Sequence, residues 1–265
     1  MSPERKEIEV NLSTAALWPW SSFRSTEWAE RLATKIGCDG LEILPGYSVV
    51  REFQQEGKLK TSRVSSLHQD WRRDRRAEKS LGLKISFTNY AACLFFPPEE
   101  TCFQTIQGLE RIYGVPVVFH WKQDTPQFQK PMLEIHPLIK ASPNQIVQWV
   151  EENPEKRGLV IDISQRKFGD YLAAQNIPQY EWRRVFAMFL PFTKEVQFQI
   201  GNENELRQVR NEDCDSSLGR ATREIKKQNF KGPFVIELNF PLMFKDFGRD
   251  YPEFYSQVVK FIRKA

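Results

Sequence analysis

Only three histidines occur in the chain, and each closes a short β-prone run. His68 ends Val64-Ser-Ser-Leu-His68, His120 ends Val115-Pro-Val-Val-Phe-His120, and His136 ends Met132-Leu-Glu-Ile-His136. Four acids occupy similar places: Glu42 in Leu41-Glu-Ile-Leu44, Glu134 just before His136, Asp162 in Leu159-Val-Ile-Asp-Ile163, and Glu237 in Phe234-Val-Ile-Glu-Leu238. Side chains alternate along a strand, so Glu134 and His136 share a face from which Leu133 and Ile135 point away. An acid inside an apolar strand must be paired, protonated or bound to a metal, because burying a lone carboxylate is prohibitive. Several such acids aimed at one axis repel each other unless a cation sits between them. A divalent metal is the economical cation, and imidazole and carboxylate are among its usual ligands. Taken singly, each residue also has a plainer reading, as a core histidine or as an acid that bonds backbone amides. The joint placement at strand ends is what points to a shared site.

A second feature, Asp70-Trp-Arg-Arg-Asp-Arg-Arg76, follows His68 directly. Its arginines and tryptophan suit a phosphate or a stacked base. The alternation of acids with arginines equally suits a solvated helix start. Other catalytic signatures are missing: there is no GxSxG, no P-loop, no HExxH and no cysteine beside a histidine.

The elements that must hold these residues alternate along the chain. Ile8–Ser13 alternates as a strand should, and Ser25 caps a helix through Ile36 that Gly37 ends. Further strands are expected at 41–44, 64–68, 115–120, 132–136, 159–163, 196–200 and 234–238. Helices are expected at 25–36, 99–113, 144–152, 180–190, 218–228 and 251–263. Eight strands separated mostly by helices, in 265 residues, match the arithmetic of a single (β/α)8 barrel over residues 1–265. Only Trp121–Lys130, with Pro126 in its middle, separates strands four and five, so no regular helix is expected there. A doubly wound sheet is disfavoured, because Ser13-Thr-Ala-Ala is no glycine-rich phosphate cradle.

Composition fits such a barrel. Hydrophobic residues make up 40% and charged residues 27%, enough for a full core and against a disordered chain. The excess of 38 Lys and Arg over 34 Asp and Glu is too small to argue for nucleic acid. No apolar stretch has the length of a membrane span or a secretory signal, and the four cysteines show no CxxC spacing, so a cytoplasmic location with reduced thiols is expected.

The residues resemble the xylose-isomerase-like TIM-barrel superfamily, which includes sugar-phosphate isomerases and epimerases and the endonuclease IV type of nuclease. The stretch from Gly219 through Phe230-Lys-Gly-Pro-Phe-Val-Ile-Glu237 is similar to the family's closing helix and strand, and Lys35-Ile-Gly-Cys-Asp-Gly-Leu-Glu42 to its passage into strand two. The resemblance implies a divalent metal on Glu134, Asp162, Gln199 and Glu237, with Glu134 and Glu237 as the acid/base pair of a proton transfer through an enediolate. His68 and His120 match histidines that the family's nuclease branch carries on strands three and four, and with His136 and Glu42 at neighbouring strand ends they are expected to contact substrate. Three departures stand out: the family's strand-six and strand-seven histidines read Gln165 and Gln199 here, and a strand-seven acid reads Asn202. Carboxylates with an amide suit Mn²⁺ or Mg²⁺ better than Zn²⁺.

The reading is therefore a metal-dependent isomerase or epimerase of a small sugar or sugar phosphate. The alternatives are a barrel that binds a ligand or protein with no metal, and a divergent phosphodiesterase acting on nucleic acid.

Overall fold

The computed structural model describes residues 8–17, 24–69, 97–119, 128–137, 139–163, 165–200, 202–228, 230–238 and 251–265. All eight expected strands form: β1 (Val10–Ser13), β2 (Gly40–Ile43), β3 (Val64–His68), β4 (Val117–Phe119), β5 (Pro131–Glu134), β6 (Gly158–Asp162), β7 (Thr193–Ile200) and β8 (Phe234–Leu238). Each pairs in parallel with the next, and β8 closes on β1, giving a closed barrel of the (β/α)8 type. The described helices are α1 (Thr26–Ile36), α2 (Tyr47–Glu56), α3 (Glu99–Tyr113), α4 (Pro143–Glu151), α5 (Gln165–Ala174), α6 (Trp182–Phe189), α7 (Glu203–Arg210), α8 (Ser217–Lys227) and α9 (Tyr251–Lys264). Among the described residues, no helix is long and apolar enough to cross a membrane.

The local rules act as the sequence suggests. The Ser25 side chain accepts from the Trp28 amide at the start of α1, and Gly37 ends it at φ 89°, a conformation that favours glycine. Three helices appear that the sequence reading did not anticipate: α2, α5 and α7. For α2, Pro45-Gly46 does stop β2, but Gly46 also serves as the N-cap of a helix ended by Gly57 at φ 68°. The expectation of no regular helix between β4 and β5 falls on a connection whose residues 120–127 lie outside the described residues.

Most of the core lies between the sheet and the helices, where outward strand residues such as Leu41, Leu67, Leu133, Ile161, Phe198 and Ile236 meet the helices. The barrel interior is different. A small separate apolar cluster of Val118, Met132 and Val160 fills the side of β4 to β6. The remaining interior positions on β1, β2, β3 and β7 carry Asn11, Ser13, Glu42, Ser66, Glu195 and Gln197, all buried.

Two register shifts set those positions. Between β2 and β3 the pairing jumps from Leu41↔Val64 to Glu42↔Ser66, and the Ser65 hydroxyl donates to the Leu41 carbonyl at the bulge. Between β6 and β7 it jumps from Leu159↔Thr193 to Val160↔Glu195, which leaves Lys194 against Gly158. Such bulges re-aim side chains next to functional sites. Glu52 braces the same region from outside: it accepts from the Thr26 amide and hydroxyl at 2.8 and 2.6 Å and from the Lys60 amide at 3.2 Å. It thereby ties α1, α2 and the approach to β3 together.

Candidate metal centre

Barrel interiors fill in layers drawn from alternate strands. Strand alternation with the observed registers places Asn11, Ser66, Met132 and Glu195 in one layer. Glu42, Val118, Val160 and Val235 follow above it, and Ser13, His68, Glu134 and Gln197 above those. Glu237, at the end of β8 beside Gln199 in the pairing, stands toward the mouth. The polar half of the barrel thus rises from Glu195 through Glu42 to His68 and Glu237.

His68 is the hub of this arrangement. Its Nδ1 lies 3.4 Å from Glu42 Oε2 and 3.8 Å from Glu237 Oε1, while its Nε2 lies 3.5 Å from Glu134 Oε2. One ring therefore faces three buried carboxylates. Burial alone would drive the proton off His68, but Glu42 first, then Glu134 and Glu237, outweigh it and raise the ring's pKa above its ordinary value. Beneath, Glu195 is pushed well above the usual carboxylate range, chiefly by burial and next by the charge of Glu42, with the nearby Ser66 hydroxyl acting in the opposite direction. Glu195 consequently holds its proton to higher pH than an exposed carboxyl does.

Among the described residues, neither oxygen of Glu42 has a well-formed hydrogen bond, the 3.4 Å contact with His68 Nδ1 apart. A fully buried carboxylate in that position calls for a cation or a neighbouring acid's proton. Ligand atoms of Glu42, His68 and Glu237 all lie within 4.8 Å of one another, the group among the described residues with the donor types and spacing of a metal site. Two carboxylates and one imidazole are hard-to-borderline donors that suit Mn²⁺, Fe²⁺ or Zn²⁺. With Nδ1 turned to that group, Glu134 takes the other ring nitrogen, the arrangement in which a carboxylate orients a ligating histidine. The residues fit a divalent cation.

The positions suggested by the sequence divide as follows. Glu42, His68, Glu134 and Glu237 come together, with Glu42 and His68 standing where the metal would be and not only as substrate contacts. Asp162 is buried at the end of β6, on the inward face it shares with Val160, but is not one of the three clustered donors. Gln199 is half-buried beside Glu237. His136 lies beyond the end of β5 and half-buried, because that strand stops at Glu134. His120 and the Asp70–Arg76 cluster lie outside the described residues. Glu195, Gln197, Asn11 and Ser66 did not stand out in the sequence. The signal was there in Glu195-Val-Gln-Phe-Gln-Ile200, whose polar residues alternate with apolar ones and so share the inward face.

No family model and no curated protein matches the chain. Among solved structures, it is similar to a sugar phosphate isomerase/epimerase from Parabacteroides distasonis, 12% identical, with 100% of this chain and 99% of that one covered at a TM-score of 0.47. It is also similar to a dihydropteroate synthase from Xanthomonas albilineans, 12% identical over 97% of this chain and 91% of that one, TM-score 0.36. An amidohydrolase from Burkholderia multivorans with bound zinc is 10% identical over 97% and 92%, TM-score 0.35. At these identities the likenesses assign neither reaction nor substrate to this chain; the closed strand pairing is what establishes its barrel.

Proposed function

We propose that the chain is a divalent-metal-dependent isomerase or epimerase acting on a small sugar or polyol. The observation that carries the proposal is the buried Glu42–His68–Glu237 donor group in the barrel, with Glu134 on the far edge of the His68 ring. Active sites of such barrels open at the C-terminal ends of the strands, and these residues come from the ends of β2, β3, β5 and β8. The cation, when bound, supplies Lewis-acid polarisation of a substrate carbonyl or hydroxyl oxygen. The chain supplies the proton transfer. Glu134 is the carboxylate outside the donor group, and it is the base that takes the carbon-bound proton and returns it. A return to the neighbouring carbon isomerises. Inversion at one carbon needs a second acid–base on the opposite side, and Glu237, facing the other edge of His68, holds that place.

The test joins metal content to proton exchange. Wild-type protein is expected to hold about one Mn, Fe or Zn per chain by elemental analysis. Glu42→Ala and Glu237→Ala are expected to lose it. A weakly held Mg²⁺ would instead appear as a raised melting temperature on adding the ion. With metal, small aldoses and ketoses should acquire solvent deuterium at carbon, and Glu134→Gln should abolish this while keeping the metal. Absence of bound metal together with absence of any metal-induced melting shift overturns the proposal.

One observation favours a second reading. Because the carboxylates raise the pKa of His68, its imidazolium can itself be the cation among them, leaving a metal-free barrel that binds a ligand. In that case His68 carries its charge in protein treated with a chelator and then with excess Mn²⁺, and neither treatment changes the melting temperature.

A further inference from the structure

A groove of about 1280 Å³ runs along the outside of the barrel between α6 and α8, away from the donor group. In a complete ring of helices neighbouring members cover this strip of the sheet. Here α6 packs toward α4 and α8 toward α9, and the space between α6 and α8 stays open. Its floor is apolar, built from Phe168, Leu172, Phe186, Leu190 and Phe230. Its rim is cationic: Arg183 on one side, Arg220, Arg223, Lys227 and Lys231 on the other, with Lys194 at one end. Only Asp162 and Glu224 among the lining residues are acidic. Arg183, Arg220, Lys227 and Lys231 are exposed, and Trp182 at the edge is 37% exposed with the Arg183 guanidinium 5.6 Å from its ring centre.

The pattern of the rim identifies the occupant. Arg220, Arg223 and Lys227 recur at helical spacing along α8 parallel to the groove; Arg223 is also paired with Asp215 at 2.8 Å, and Glu224 stands among them, leaving a net positive stripe along that edge. An apolar floor flanked by such a stripe complements a helix with an apolar face bordered by acids, the helix-in-groove mode of recognition. A single-stranded nucleic acid fits less well. Phe168 and Phe186 are 7% and 8% exposed and present little open ring face for stacking. We propose that this groove docks an acidic amphipathic helix of a partner protein, its apolar face on Ala187, Leu190 and Phe230 and its carboxylates on the α8 stripe. The site is separate from the donor group, and the proposal does not depend on the reaction assigned there.

The probe is a fluorescein-labelled helical peptide with a leucine face flanked by glutamates, read by anisotropy against the full chain. Its counterpart carries lysines in place of the glutamates. The expected result is saturable binding of the acidic peptide, weakened by salt, and none of the lysine peptide. The double variant Lys227→Glu, Lys231→Glu should weaken binding at least about tenfold. Ala187→Trp, which fills the floor from an exposed position on α6, should abolish binding without reversing any charge. Thermal melts of both variants should match the wild type, which keeps either variant informative if the other fails to fold. Equal binding of the two peptides, or insensitivity to both variants, overturns the proposal. So does stronger binding of heparin or a single-stranded oligonucleotide at the same groove, which would make it a polyanion surface.

Discussion

Replacing Glu195 with glutamine tests the charge state of the barrel interior. Glu195 is 1% exposed, faces Glu42 across the lower part of the barrel, and has its pKa raised by burial first and by Glu42 next. The sign follows from linkage. In the unfolded chain the carboxyl ionises in the ordinary range, while in the folded chain it holds its proton to much higher pH. Between those two pKa values the native state binds more protons, so stability falls as pH rises. Below the unfolded pKa both states are protonated, and the effect vanishes. Each unit of separation is worth about 1.4 kcal/mol. Glutamine mimics the protonated acid at every pH. Glu195→Gln should therefore match the wild type near pH 4 and become more stable than it as pH rises toward 8, the gap growing by up to about 1.4 kcal/mol per pH unit while only the native state holds the proton. At this chain length each kcal/mol corresponds to roughly 2–4 °C in melting temperature. The assay is a series of urea and thermal melts across that range with a chelator present, so that cation binding does not enter. A stability difference that stays flat with pH, or a variant weaker than wild type at pH 8, would refute the argument that Glu195 is held protonated beneath Glu42.

Glu52→Ala should leave the Thr26 amide, the Thr26 hydroxyl and the Lys60 amide without their acceptor, at a cost of about 3 kcal/mol or more in urea unfolding, because hydrogen bonds to a charged group are each worth about 1.5–3 kcal/mol. Gly219→Ala should destabilise by about 1–3 kcal/mol, since its Cβ would come within 2.2 Å of the Cys214 carbonyl oxygen, which is backbone and cannot swing away. Gly169→Ala in α5 is the control: its Cβ meets nothing within 4 Å, and helix propensity should make it neutral or stabilising by about 0.5–1 kcal/mol.

The fold was largely legible because strand and helix periods alternate along the chain. Val64–His68 and Phe234–Leu238 are observed with the expected ends, and the helix from Glu99 to Tyr113 stops at Gly114 as its sequence suggests. What escaped did so for physical reasons. The strand β7 starts at Thr193 and not at Val196; its prefix Thr-Lys-Glu is polar, and the bulge at Lys194 interrupts the pairing there. The helix α7, Glu203-Asn-Glu-Leu-Arg-Gln-Val-Arg210, carries only two buried apolar residues, too few for a periodic signal, and depends on the Asn202 side chain capping the amides of Asn204 and Glu205. At the site, strand parity identified Glu134 and the strand ends identified Glu42, His68 and Glu237. Their grouping was not legible. Which acids meet one imidazole depends on the registers at Glu42↔Ser66 and Gln199↔Glu237, and register across a barrel is a property of pairing, not of any one segment.

The division of the interior argues that the polar side is kept for what it does. Barrels of this kind fill their interiors with branched apolar residues, and the β4–β6 side of this one does so with Val118, Met132 and Val160. The other side buries Asn11, Glu42, Ser66, Glu195 and Gln197, and several of their polar atoms meet no hydrogen-bonding partner among the described residues. Leaving a buried polar group unsatisfied costs about 1–3 kcal/mol, more when it is charged, so this half of the interior lowers stability where valine or leucine would raise it. The large outer core between sheet and helices offsets that cost but does not explain it. The polar groups are not scattered: they form one column that starts at Glu195, passes Glu42 and ends at the His68 ring between Glu134 and Glu237. A column of that kind sets how much negative charge surrounds one imidazole at the mouth. Local departures from the stable choice that all converge on one group are the pattern expected of a functional centre, which supports the proposal made for that group.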